Sequence, residues 1–401
     1  MSEPRLEIPP NLRRALDYKK FQGKTKLLIL TTQYFFDESW KRAAEYLGWE
    51  VATVPSAMVG GLTKDQMRQL FLTLTEFRPD FLLTSNFAGM DVLGIFGRFF
   101  EDVRIPYVSW FTDTPRMILY ERVVHCSHYT VAATWERAYE PHLRKLGFSH
   151  VFFMPHATDP FLFRGEFTPT PTRNVSFVGT SMIDQAREAW DVLSESPQLY
   201  REVEKAFLQD RVSRSIFPDG IEMVINPQIL QKEEPRQRRH AELCLIYEGT
   251  RRLREKLVRA LAPFNIEVRG DRFWLQIYSN VDGDVSYFGD LAEYYRTTAV
   301  NVNITSIQMS RAVNQRVFDC PAAGGFLLTD DQRDLYDFFD VGKEVIVYKD
   351  FEELAEKTQY YLKHPEERAQ VVRAAQQRIL KEHTHAHRLK SLETFLKDIY
   401  A

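Results

Sequence analysis

The stretch AVNQRVFDCPAAGGFLLTD, residues 312–330, carries more polar chemistry than a core helix needs. Asn314 and Arg316 stand where a helix would start, Asp319 follows Arg316 at i+3 on the same face, and Gly324 and Gly325 close the segment ahead of an apolar run. First-turn amides have no partner within a helix, and the helix dipole there favours an anion. A guanidinium beside them adds a fork suited to phosphate. Asp319 could then accept two hydrogen bonds from vicinal hydroxyls, and Gly325 would let the backbone approach a ligand closely. The competing reading is an Arg316 to Asp319 ion pair on a solvated face. Pro321 removes a backbone donor, so the helix is expected to be short or bent.

Other chemistry-bearing residues stand at the ends of apolar runs. NVNITS ends in Asn303, Thr305 and Ser306, and NVSFVGT ends in Gly179 and Thr180. YVSWFTD ends in Asp113, placed to take a proton from a hydroxyl, or to hold a turn as Asp-Thr-Pro commonly does. His156 in MPHATD is a second candidate base, with a structural histidine as the alternative. His383, His385 and His387 in HTHAHR have the residue types of a metal tract, but a spacing of two on a helix spreads side chains around its axis, so no metal site is expected.

The elements that must position these groups follow one rhythm. Short β-rich runs alternate with helical patterns: KLLILTT, EVATVP, FLLTSN, YVSWFTD, YTVAAT and VFFMPH in the first half, then NVSFVGT, IEVRGD, VSYFG, AVNVNIT, GGFLLTD and EVIVYK in the second. Each half offers roughly six strands, the signature of an α/β fold with two doubly wound, Rossmann-like parallel sheets. In such sheets ligands sit beyond the carboxyl ends of the strands, where the residues above fall. RGEFTPTPTR, residues 164–173, reads as the linker. The expected domains are 1–165, completed by a C-terminal helix at about 385–401, and 172–384, with a polar helical insertion at about 184–248 that reads as an accessory bundle.

The 401 residues exceed what one core usually fills. With 44% hydrophobic and 27% charged residues the chain reads as globular, and a net charge of −3 argues against general nucleic-acid binding. Cys126, Cys244 and Cys320 lie far apart with no CxxC spacing, so neither a disulfide framework nor a zinc site is expected. No window is apolar enough to span a membrane and the N-terminus lacks a signal-peptide pattern, so the expected setting is the cytoplasm.

The block NVNITSIQMSRAVNQRVFDCPAAGGFLLTDDQRDLYDFFDVGKEVIVYKDFEELAEKTQYYL, with HTHAHR after it, resembles the C-terminal domain of the CgeB-like, spore-maturation glycosyltransferases, a glycosyltransferase group 1-like domain. VSFVGT and GTRRLREKLVRAL are similar to the first strand and the Thr-x-x-x-Arg helix of that domain, and RPDFLLTSN, IPYVSWFTDTP and LGFSHVFFMPHATDPFLF to the family's N-terminal domain. The resemblance implies a GT-B architecture of two domains facing a cleft. It implies a nucleotide sugar, UDP-linked or another diphosphate, held mainly by the C-terminal domain, and an unknown acceptor, with no metal or other cofactor. By the same resemblance Arg316 would face the diphosphate and Asp319 the ribose, with Gly179, Thr180 and Arg254 near the phosphates. Related retaining enzymes often carry a Glu eight residues before the carboxylate matched by Asp319; here Arg311 stands there, which leaves the stereochemical outcome open. Trp110 and Phe111 would stack on a sugar or fill the core. An epimerase or hydrolase of the same fold, and a GT-B-like module that binds without turnover, remain as alternatives.

Overall fold

The computed structural model describes residues 4–32, 35–57, 61–120 and 122–401. By compactness the chain divides into Met1–Pro155 with His385–Ala401, and His156–Thr384. Residues 156–165, expected to close the first domain, pack with the second unit.

The first unit is built on β1 (Lys26–Thr31), β2 (Glu50–Pro55), β3 (Phe81–Ser85), β4 (Tyr107–Phe111), β5 (Thr130–Thr134) and β6 (His150–Phe153), all parallel in the order β2-β1-β3-β4-β5-β6. The central strands are buried on both faces, which is why they read as continuous apolar runs. On one face Leu27, Ile29, Phe81, Leu83, Val108 and Trp110 pack against Phe36 and Trp40 of α1 (Phe35–Tyr46). Leu389, Leu392 and Leu396 of the C-terminal helix His385–Tyr400 complete that layer. Trp110 and Phe111 are therefore core residues, and the Trp110 indole donates to the Met154 carbonyl at 2.7 Å. His385 lies in the same layer, edge-on to Phe36. Burial drives its imidazole down to about 3, so it stays neutral.

The second unit holds β7 (Arg173–Val178), β8 (Glu267–Arg269), β9 (Thr298–Asn303), β10 (Leu327–Asp330) and β11 (Ile346–Tyr348), parallel in the order β11-β10-β9-β7-β8. Its sheet thus has five strands. The run VSYFG, expected as a sixth, forms a turn closed by Ser286 N–H donating to Asp290 and Gly289 N–H donating to the Ser286 carbonyl. Counted from its own first strand, the first unit is wound 2-1-3-4-5-6 and the second 2-1-3-4-5, so in each the order reverses between the first and third strands, β1/β3 and β7/β9.

Between β7 and β8 the chain is helical: α2 (Ile183–Leu193), α3 (Pro197–Leu208), short turns, and α4 (Pro235–Leu261). The expected insertion boundary near 248 falls inside α4, which runs unbroken for 27 residues. Leu257, Val258 and Leu261 of α4 enter the core beside Val175, Phe177, Val300 and Val302, so the polar helical region and the sheet share one helix. Pro365–Glu382 and His385–Tyr400 are separate helices broken at His383–Thr384. His383 is the first residue of the break, its Nε2 donating to the Phe338 carbonyl (3.0 Å) among the rings of Phe318, Phe338 and Phe339. Among the described residues no helix is long and apolar enough to cross a membrane, and no group of three or more His, Cys, Asp or Glu is placed to hold a metal ion.

Candidate functional site

The reversal point of the second sheet collects most of the residues singled out by sequence. β7 ends at Gly179 and Thr180. The Gly179 carbonyl accepts the Trp274 indole N–H (2.8 Å), and Asp271 takes the Ser181 amide (2.5 Å) and hydroxyl (2.7 Å). A Cβ on Gly270 would stand 2.2 Å from the Gly179 oxygen, so glycine there lets the β8 loop close onto the β7 loop. A Cβ on Gly179 itself would meet the Phe177 ring at 3.0 Å and lie 3.5 Å from Arg316 Nη2. These contacts fix the loop beside Arg316.

Two guanidiniums meet there. Arg254, on α4, is 7% exposed and donates from Nη1 to the Thr180 carbonyl (2.6 Å) and hydroxyl (2.9 Å). Arg316, half-buried, opens α5 (Arg316–Ala322) and donates to Asn303 Oδ1, which also accepts from Asn314 Nδ2 at 3.0 Å. Both cations stand over the Phe177 ring, at 6.0 and 5.7 Å from its centroid. Among the described residues neither forms an ion pair with a carboxylate, so the solvated Arg316 to Asp319 pair is not formed. Burial, and then the like charge of Arg316, push Arg254 down to about 9. That depression measures an electrostatic cost which a bound anion would relieve. Asp271 and Trp274 are the supporting residues that sequence reasoning did not assign; the Gly-Asp ending IEVRGD was the available signal for the first.

Four expected residues are placed differently. Asp319 is 1% exposed, and its oxygens accept from Thr158 Oγ1 (2.7 Å) and Tyr287 Oη (3.3 Å). Burial pushes its carboxyl up to about 8, opposed by those two hydrogen bonds. The ribose contact expected of it is therefore not offered by this geometry: the carboxyl ties its helix to two interior hydroxyls. Thr305 is buried, with its amide and hydroxyl both on Asp330 Oδ1 at 3.0 Å. Ser306 meets Thr250 Oγ1 at 3.0 Å. Gly325 is buried where a Cβ would stand 2.8 Å from both Cys320 Sγ and the Tyr295 carbonyl, so it serves helix-to-strand packing. Pro321 ends a helix of only seven residues, and Arg311 is bound to the buried Asp334 at 3.1 Å.

The two candidate bases fall in different units. Asp113, in the first, accepts from Asn86 Nδ2 at 3.0 Å, while Asn86 Oδ1 receives the Thr112 amide at 2.8 Å. Asn86 thus clamps the loop beyond β4, from a left-handed backbone conformation with φ of 51°. Asp113 keeps partial exposure. His156, in the second unit, is 3% exposed and reads as structural.

Two parallel α/β units wound in this way define a GT-B protein. Residues 239–394 match the family model described as glycosyl transferase-like. No curated protein matches the sequence. Three solved structures illustrate the fold. Sucrose-phosphate synthase from Thermosynechococcus elongatus is 11% identical over 94% of this chain and 100% of that one, with a TM-score of 0.51. Anabaena HepE in complex with UDP and glucose is 10% identical over 93% and 100%, also at 0.51. T4 phage BGT in complex with its UDP-glucose substrate is 13% identical over 94% and 100%, again at 0.51.

Proposed function

We propose that the chain transfers a sugar from a nucleoside-diphosphate sugar, UDP-linked as in the structural neighbours' complexes, to an acceptor hydroxyl. The observation that supports this reading is the pair of guanidiniums, Arg254 and Arg316, held at the β7/β9 reversal point without carboxylate partners among the described residues. As the bond between the anomeric carbon and the diphosphate oxygen breaks, negative charge accumulates on the leaving group. Two preorganised cations there stabilise it with no reorganisation at the moment of reaction. They supply charge that a divalent metal would otherwise provide, so turnover is expected to be metal-independent.

Asp113 is assigned the acceptor side: it takes the proton as the acceptor oxygen bonds to the anomeric carbon, and the products are the glycosylated acceptor and a nucleoside diphosphate. Asn86 sets its orientation. Gly179 and Thr180 are assigned to the phosphates and Asn314 to orienting Arg316 through the shared Asn303.

The test is a thermal-shift screen against UDP, GDP, dTDP, CMP and their sugars, since a ligand that binds only the folded state raises its melting temperature. A selective rise with one nucleoside diphosphate is expected. No shift with any of them would remove the reading.

A further inference from the structure

A cavity of about 610 Å³ opens on α4. Its α4 residues Arg252, Leu253, Lys256 and Arg259 recur at helical spacing along one face, whereas Arg254 stands about 200° around the axis from both Arg252 and Lys256 and points to the phosphate-side loop. The cavity is therefore separate from the guanidinium pair. Its volume lies within the range of small-molecule sites.

The lining has two characters. Phe207, Val212, Leu253 and Ile307 give an apolar wall, and Ile307 reaches it because Gly249 leaves a notch: a Cβ there would stand 2.7 Å from Ile307 Cδ1. A glycine inside a long helix is less favourable than alanine, and here it admits a side chain. Polar groups frame the wall. Arg252 pairs with Glu248 at 2.7 Å and covers the Phe207 ring at 4.6 Å. The cavity's own carboxylate Glu255 is taken up by Arg251 and Arg259, each at 2.7 Å, while Asp210 is exposed at the rim.

Two donors are left over. Lys256 forms no ion pair among the described residues. Arg214 pairs through Nη2 with Asp330 at 2.6 Å, but its Nε is enclosed without an acceptor. The Arg214 side chain keeps 24% of its surface exposed and lines the cavity, so an incoming anion can meet it there.

We propose that this cavity binds a small amphipathic anion, with an apolar body against Phe207 and Leu253 and a carboxylate or phosphate head at Lys256 and Arg214. Isothermal titration of the full chain with hexyl phosphate, inorganic phosphate and hexanol tests it. Hexyl phosphate is expected to bind about tenfold or more tightly than either fragment, because it alone satisfies both the wall and the donors. Lys256→Glu should weaken it by about tenfold or more while the melting transition stays intact. Arg316→Ala should leave it unchanged. Absence of hexyl phosphate binding, equal binding of hexanol, or loss in Arg316→Ala with retention in Lys256→Glu would overturn the proposal.

Discussion

The two sheets share a winding order but carry different charges beyond their strand ends. Beyond β1, the Thr32 amide donates to Asp37 at 2.7 Å, and beyond β4 Asp113 is held by Asn86, which follows β3. Beyond β7 the prominent charges are Arg254 and Arg316, while the carboxylates nearby are already committed: Asp271 to Ser181, and Asp319 to Thr158 and Tyr287. Topology therefore fixes where a crevice lies, and the side chains at the strand ends decide what it can hold. A carboxylate suits proton removal from a hydroxyl, whereas unpaired guanidiniums suit a leaving diphosphate.

The largest effect should come from breaking the acidic half. Asp113→Asn keeps the Asn86 contact but cannot take a proton, so kcat should fall about 100- to 10,000-fold, the usual worth of a general base. Titration calorimetry should show donor affinity unchanged. An active variant would return Asp113 to the role of a loop residue and leave the comparison without its acidic member. The next largest effect breaks the basic half. Arg316→Ala should weaken UDP binding by about 1.5–3 kcal/mol, the value of a charge-assisted hydrogen bond. Unaltered calorimetry would mean that the guanidinium pair is not the diphosphate site.

These variants test residues that were legible in sequence for a physical reason. Central strands buried on both faces must be apolar throughout, and they, with the partly exposed edge strands, make eleven of the expected runs, bounded by polar ends and glycines. VSYFG misled because its aromatics serve tertiary contacts: the Tyr287 ring packs edge-on to Phe163 and its hydroxyl reaches Asp319, which a pleated strand would not arrange. Arg316 could be read as a candidate because its type and its place at a helix start carry the signal, whereas Arg254, inside α4, was reached only through the family resemblance. The placement of Asp319 could not, since its partner Thr158 stands 161 positions away and nothing in local spacing encodes that contact. Likewise Arg311 looked like a missing sugar-binding acid, and its pairing with Asp334 appears only once the chain is folded.

The basic half can also be sharpened without ligand. Arg254 is a buried cation beside a like charge, and replacing such a group by an apolar one of similar volume is often neutral or stabilising. Arg254→Met should leave the unliganded protein as stable as the parent or more so, by about 1 kcal/mol, while weakening UDP binding. Chemical denaturation and calorimetry on the same variant separate the two effects. A loss of stability together with unchanged nucleotide affinity would make Arg254 a structural anchor of the Thr180 loop instead.

The comparison finally requires that Asp319 not act as a free anion in the basic half. Its folded carboxyl is raised to about 8, first by burial, against an ordinary value of 3.8. Between those values the folded state keeps a proton that the unfolded state releases. Stability attributable to this group is then greatest below about pH 4, falls as pH rises, and levels off above about pH 8. One unit of pKa corresponds to about 1.4 kcal/mol, so through pH 5 to 7 the parent should lose about 1 kcal/mol per pH unit relative to Asp319→Asn, which has no proton to give up. Urea unfolding of both proteins across that range cancels the other titrating groups. Parallel curves would show a carboxylate already ionised in the folded state, one able to face a ribose, and the contrast in charge between the two crevices would fail at that residue.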